Sequence, residues 1–272
     1  MPELPEVETT RLGLLAHVVG HRVRDVVVRD ARLRWPVPRD LARRLKGAEE
    51  IRAIRRRGKY LLFDMSGGSL LVHLGMSGRL TLVPSASAHR PHDHVDVALD
   101  SAQALRLNDP RRFGAMLWLR DPVEGHALLA GLGIEPFDAQ FTGAWLHARS
   151  RGRRVPVKQF IMNARVVTGI GNIYASEALF RAGIHPLRAS GRIGLERYER
   201  LALEIRATFS EALAAGGTTL RDYVASDGKP GAFQFSVHVY GREGEPCLAC
   251  GAPVRAMRQG ARSTFYCASC QR

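Results

Sequence analysis

Between residues 21 and 120 the sequence breaks into eight short runs that alternate or are rich in β-branched residues: "HRVRDVVVRD", "EEIRAIRRR", "KYLLFDM", "SLLVHLGM", "RLTLV", "DHVDVAL", "ALRLND" and "FGAMLWL". Turn formers separate them, and none carries the three-to-four-residue period of a helix. Eight strand-like runs within about 100 residues predict an antiparallel sandwich or barrel, because parallel neighbours would need longer crossovers between them. A hydrophobic content of 45% supplies the apolar side chains for such a core.

Other textures flank this block. Residues 5–19, "PEVETTRLGLLAHVV", put Val7, Leu14, Leu15, Val18 and Val19 at roughly helical spacing, with Gly20 as the stop. Proline and acidic residues suit the first turn of that helix, which accounts for Pro5, Glu6 and Glu8 but not for Pro2 and Glu3. Glycine and proline in "GLGIEPFD" (131–138) mark a linker. Residues 138–225 read as helices, the clearest being "GLERYERLALEIRATFSEALAAGG", stopped by Gly216 and Gly217. A glycine-rich tail follows from about residue 230. The expected class is α+β multidomain, with segments 1–133, 134–230 and 231–272. No internal repeat or low-complexity tract interrupts it.

Lys and Arg number 40 against 26 Asp and Glu, a formal charge of +14 that calls for a polyanionic partner. Nucleic acid comes first and an anionic membrane surface second. No stretch reaches the roughly 20 apolar residues of a membrane span, and the amino terminus lacks the basic-then-apolar order of a signal peptide. The expected location is the cytoplasm.

All four cysteines fall within the last 26 residues. Cys247, Cys250, Cys267 and Cys270 are spaced C-x2-C-x16-C-x2-C, which matches a four-cysteine zinc site. Two such knuckles present four thiolates tetrahedrally and leave no open position, so one structural zinc ion per chain is expected. The intervening "GAPVRAMRQGARSTFY" reads as a β-hairpin presenting Arg255, Arg258 and Arg262, either to a DNA groove or simply to solvent.

The opening "MPE" has a chemical reading as well as a bland one. Removal of Met1 would leave Pro2 with a free secondary amine, one residue from the Glu3 carboxylate. An ordinary α-amine (pKa about 7.7) has roughly 400 times more free base near neutrality than a lysine (about 10.4). A secondary amine is more basic, so neighbouring cations or burial would have to restore part of that advantage. Attack on a sugar C1′ would give an iminium, the electrophile of Schiff-base chemistry.

Eight blocks decide how this is weighed: "MPELPEVET", "GKYLLF" (58–63), "HLGMSG" (73–78), "HDHVD" (92–96), "DPRRFG" (109–114), "GIGNIYASE" (169–177), "SDGKPG" (226–231) and "YCASCQ". In this order, along the whole chain, they resemble the formamidopyrimidine-DNA glycosylase family. The resemblance implies an amino-terminal helix with an antiparallel β-sandwich, a helical domain containing a helix-two-turn-helix, and a β-hairpin zinc finger. It implies a base-excision enzyme that flips oxidised purines out of duplex DNA, excises them through a Pro2 Schiff base and cleaves the abasic site by β,δ-elimination. Glu3 would then move protons, Lys59 would assist β-elimination and Arg262 δ-elimination. Composition alone would make Lys59 one more cation in "RRRGKY". Met76, Arg111 and Phe113 would fill the void left by the flipped nucleotide, although by their residue types Met76 and Phe113 also read as core. The resemblance adds Arg153, Lys158 and Asn172 as phosphate ligands, with Asn172 opening a helix whose backbone N–H groups face a phosphate. His92, His73 and Glu6 are further candidates: the first two against DNA, Glu6 against the base or as a helix-start acid. His92, His94 and Asp96 could instead share a strand face as metal ligands, and Gly169-x-Gly171 could be mistaken for part of a dinucleotide motif, but lacks the third glycine and the preceding βαβ unit. Asn163 and Thr168 depart from the aspartate and glycine expected there, which bears on local packing. The implied partner is damaged double-stranded DNA, with no membrane, no obligate protein partner and a monomeric chain that associates with the nucleoid when acting. The alternatives are an endonuclease VIII-like enzyme for oxidised pyrimidines and a non-catalytic zinc-containing DNA binder, which would leave Pro2, Glu3 and Lys59 without a reason to occur together.

Overall fold

The computed structural model describes residues 2–46, 50–216 and 237–272. They divide into two compact units: residues 2–131 with Ala215 and Gly216, and Leu132–Ala214 with residues 237–272.

In the first unit, helix α1 (Leu4–Val18) precedes strand β1 (Val23–Val28), a short helix α2 (Leu41–Lys46), and strands β2 (Ala53–Arg57), β3 (Tyr60–Met65), β4 (Gly68–His73), β5 (Arg79–Pro84), β6 (Asp93–Leu99), β7 (Gln103–Asn108) and β8 (Ala115–Arg120). Each of the eight sequence runs overlaps one of these strands. They form two antiparallel four-stranded sheets, ordered β1-β6-β7-β5 and β2-β3-β4-β8. Period-two alternation supplies the core between them: Val95, Val97 and Leu99 from β6 meet Leu61, Phe63 and Met65 from β3 and Leu70 and Val72 from β4. Burying side chains of this size contributes about 1.5–3 kcal/mol each. Val7, Leu14 and Val18 of α1 and Leu41 and Leu45 of α2 join the same cluster. Strand β6 is irregular between Asp93 and Val95, a bulge that turns His94 away from the ladder.

In the second unit come α3 (Gly143–Ser150), α4 (Val157–Met162), α5 (Asn172–Arg181), α6 (Leu195–Ala214) and the hairpin β9 (Arg255–Gln259) with β10 (Arg262–Tyr266). Helix α6 is amphipathic: Tyr198, Leu201, Ala202, Ile205, Phe209 and Ala212 are buried along one stripe. Gly216, just past its end, takes the left-handed conformation (φ +79°) expected of a stop. Gly217, the 217–225 part of the predicted helical stretch and "SDGKPG" lie outside the described residues. Among the described residues, no helix is long and apolar enough to cross a membrane.

Candidate functional site

The amino-terminal helix start is built from two buried carboxylates. Glu3, 1% exposed, is the N-cap in extended backbone, and Glu6, 2% exposed, sits three residues on. They close a reciprocal capping box: the Glu3 carboxylate takes the N–H of Glu6, and the Glu3 N–H donates to Glu6 Oε2 at 2.7 Å. Both negative charges face the positive end of the helix dipole, and Pro5 supplies a fixed φ in the first turn. Pro2, buried, is thereby held one residue from a clamped carboxylate.

One turn later, Glu8 ties α1 to β2. It accepts from Arg11 at 2.6 Å and from Arg56 at 2.9 Å, while Arg11 Nη1 donates to Ile54 O at 3.1 Å. Burial raises the Glu8 carboxyl, but the guanidinium groups of Arg11 and Arg56 outweigh it and hold the pKa below the ordinary value. Strands β2 and β3 turn at Gly58-Lys59, with Arg57 paired to Tyr60 and Gly58 in the left-handed region (φ +58°). Lys59 is therefore half-buried at the tip of a two-residue hairpin that the Glu8 ion pairs fasten to α1.

His73 lies across from Tyr60, with the rings 4.8 Å apart, and its Nδ1 accepts the Gly75 N–H at 3.1 Å. Burial, then the positive charges of Lys59 and Arg34, push its pKa down to about 4. At neutral pH it is an uncharged imidazole whose remaining proton is on Nε2, a donor without charge.

The loops after β4 and β7 carry Met76, Arg111 and Phe113. All three side chains are exposed; Met76 and Phe113 are 37% and 41% accessible, against an expectation from residue type of core positions. Two glycines allow the loops to meet: a Cβ on Gly75 (φ +64°) would stand 2.4 Å from Phe113 C, and one on Gly114 would stand 2.7 Å from His73 O. The Arg111 guanidinium lies 5.0 Å from the centre of the Phe113 ring, whereas Arg112, at φ +58°, pairs with Asp30 at 2.8 Å. Arg112, 40% exposed, is thus committed to an ion pair, and Arg111 is the arginine free of one among the described residues. His92 is exposed at φ +72° and its carbonyl accepts the Asp109 N–H at 3.1 Å, so it borders the same loops. His94 is buried with Nε2 2.8 Å from Asp109 O, and Asp96 is held by Arg29 and Arg106 at 2.8 Å each. Both are spent on structure, and the cysteine cluster is the one metal-competent group among the described residues.

In the second unit, α4, α5 and the hairpin enclose a hollow of ≈ 330 Å³ lined by Lys158, Asn163, Asn172, Gln259, Arg262 and Thr264, among others. Asn172, the first residue of α5, donates through Nδ2 to Ser263 O at 2.9 Å. Lys158 is 2% exposed, and its ammonium donates to Thr264 Oγ1 at 2.8 Å and to Ser263 O at 3.4 Å. These two side chains grip the strand that carries exposed Arg262. Arg153 stands apart, lining a second hollow of ≈ 390 Å³ with Arg154 and Arg192 and donating to Arg149 O at 2.7 Å. The departures at 163 and 168 are absorbed locally. Asn163 Oδ1 accepts the Arg165 N–H at 3.0 Å, and Thr168 is buried with ordinary backbone because the left-handed residue is Gly169 (φ +90°).

The four cysteine sulfurs lie within 4.8 Å of one another, with Cys247–Cys270 at 3.9 Å and Cys250–Cys267 at 3.5 Å. Zinc–sulfur bonds of about 2.3 Å in a tetrahedron require sulfurs about 3.8 Å apart, so the cluster fits one structural zinc ion. Val239, Val254 and Phe180 of α5 pack around it. Glu177, fully buried on α5, accepts the backbone N–H groups of His238, Val239 and Tyr240 at 2.8, 3.0 and 2.9 Å, fixing the entry to the cysteine segment. Sequence reasoning assigned no role to Glu177, although it stands inside the quoted "GIGNIYASE", nor to Asp109 and Ser77.

Three family models match in succession: the formamidopyrimidine-DNA glycosylase N-terminal domain over residues 1–116, the formamidopyrimidine-DNA glycosylase H2TH domain over 132–224, and the zinc finger found in FPG and IleRS over 244–272. The chain belongs to the formamidopyrimidine-DNA glycosylase family. Among relatives of that name, those of Syntrophotalea carbinolica and Stutzerimonas stutzeri are 56% and 57% identical over 272 residues, covering the whole of both chains. The MutM (Fpg) protein of Thermus thermophilus superposes with a TM-score of 0.89 at 40% identity, over 99% of this chain and 98% of that one. A Lactococcus lactis Fpg solved with DNA containing an abasic site reaches a TM-score of 0.91 at 30% identity, over 99% of each chain. Membership makes the chain a zinc-finger-containing DNA-repair glycosylase and lyase.

Proposed function

We propose that Pro2, freed by removal of Met1, is the nucleophile of a base-excision glycosylase for oxidised purines that also acts as an abasic-site lyase. The supporting observation is the capping box that buries Glu3 and aims it at the start of α1 beside Pro2. The Pro2 nitrogen attacks C1′ of the flipped nucleotide, the base departs, and Glu3 passes protons to the leaving base and the opening sugar ring. The resulting iminium acidifies the C2′ protons, and loss of the 3′ and then the 5′ phosphate follows by β- and δ-elimination. Lys59, poised at its hairpin tip, offsets the phosphate charge in the first step and Arg262 in the second. Glu6 positions Glu3. Met76 and Phe113 wedge into the void and Arg111 hydrogen-bonds the orphaned base.

His92, His73, Arg153, Lys158 and Asn172 form the remainder of the proposed DNA-binding set. Lys158 and Asn172 share a hollow with Arg262, and Lys158 also braces the strand that carries it. Zinc supplies no reactive step; when bound to Cys247, Cys250, Cys267 and Cys270 it fixes the base of that hairpin. Damaged duplex DNA is the partner, and the chain acts as a monomer without an obligate protein partner, in the cytoplasm and on the nucleoid.

A preparation with a verified blocked terminus tests the role of Pro2. Borohydride trapping on lesion DNA is expected to vanish while salt-sensitive DNA binding remains. Undiminished turnover with that blocked terminus contradicts the assignment.

A further inference from the structure

Asp109 is fully buried, and nothing in the reaction scheme uses it. Its carboxylate joins the two loops that carry Met76, Arg111 and Phe113. Oδ1 accepts from Ser77 Oγ at 2.8 Å, in the loop of Met76, and Oδ2 accepts from Gly114 N at 2.7 Å, in the loop of Phe113. Ser77 Oγ in turn takes the Arg111 N–H at 3.2 Å, so one hydroxyl passes the connection to the backbone of the third side chain. The main chain of Asp109 is equally committed. Its N–H donates to His92 O at 3.1 Å, and its carbonyl accepts from Arg112 N at 3.2 Å and lies 2.8 Å from His94 Nε2. Among the described residues the donors to this buried carboxylate are neutral, and such a group is costly unless its contacts are kept, which makes the arrangement rigid. Gly75 and Gly114 permit the close approach of the loops, and Asp109 fixes where that approach stops.

We infer that Asp109 is a positioning residue that sets the spacing of the three void-filling side chains, and with it the reading of the base opposite the lesion. The inference rests on the proposed role of Met76, Arg111 and Phe113. Asparagine at 109 keeps the shape and one acceptor but turns an amide N–H₂ toward one of the two donors. A displacement on the order of 1 Å is enough to cost about a hundredfold in a positioned reaction.

Asp109→Asn, Ser77→Ala and Arg111→Ala, each verified as folded by thermal melting and zinc content, are to be assayed in single turnover. The substrates are 8-oxoguanine duplexes with each of the four opposite bases, and a single-stranded abasic site, where no void exists to be filled. Asp109→Asn is expected to slow duplex excision by tenfold or more and to flatten opposite-base discrimination as Arg111→Ala does, while single-strand cleavage stays within about threefold of wild type. Ser77→Ala should do the same more weakly. In the Arg111→Ala background Asp109→Asn should add little, because coupled residues are not additive. Equal loss on both substrates, or duplex excision and discrimination unchanged by Asp109→Asn while Arg111→Ala alters them, overturns the inference. If Arg111→Ala itself changes neither, the void-filling reading beneath it falls instead.

Discussion

At the scale of single residues, the candidate site is a set of side chains whose ordinary chemistry is altered by where they are held. His73 shows this most directly, since its imidazole is pushed from the usual 6.5 down to about 4 by burial and by the nearby charges of Lys59 and Arg34. The sign of the consequence follows from proton binding: as pH falls, the unfolded chain takes up the proton first. His73 therefore contributes stability that is complete above about pH 6.5 and is lost between there and about pH 4. His73→Asn keeps an acceptor for the Gly75 N–H and removes the titration. Urea unfolding at a series of pH values is expected to show a shallower acid decline in that variant than in wild type, and equal slopes would remove His73 as a cause. Not all of this was legible from residue types. Met76 and Phe113 read as core by residue type, and only the turn formers beside them in "HLGMSG" and "DPRRFG" point to the exposed loop positions they occupy. Asp109 drew no role from the sequence, because its partners Ser77 and Gly114 are joined to it by folding and not by spacing.

At the scale of elements, each of the eight runs overlaps a strand because short apolar and β-branched runs between turn formers suit extended backbone, although burial is often two-sided, as in β4, where five consecutive residues are buried. Helix α2 was not anticipated: six residues give too few turns for a period to show, although Leu41 and Leu45 occupy one buried face. The bulge in β6 was equally invisible, since it serves the placement of His94 against Asp109 O and leaves the alternation of "DHVDVAL" intact. The paired loops give a prediction at this scale. Gly75→Ala must accommodate both a left-handed residue and a Cβ 2.4 Å from Phe113 C, whereas Gly67, at φ +78°, faces open space. Left-handed backbone alone costs of order 1–2 kcal/mol, so Gly67→Ala should lower the melting temperature by a few degrees. Gly75→Ala should lower it by clearly more and impair duplex excision as well. Similar shifts in calorimetry for the two variants would contradict the account of how the loops meet.

At the scale of the whole molecule, a formal charge of +14 sits on a chain in which acidic residues such as Glu8 and Asp96 are held in internal ion pairs. If about six phosphates are neutralised on binding, affinity should fall by roughly a thousandfold or more between 50 and 200 mM salt. Fluorescence anisotropy with a non-cleavable duplex checks this, and a shallow slope would mean that far fewer basic side chains meet the backbone. The basic surface secures DNA, while the chemistry is assigned to a small acidic start of one helix. The measurement that bears most directly on that assignment is mass mapping of the borohydride-reduced adduct formed with 8-oxoguanine DNA. One peptide should carry the sugar remnant, on the nitrogen of Pro2 with Met1 absent; an adduct on Lys59 or any other lysine, with Pro2 recovered unmodified, would contradict it.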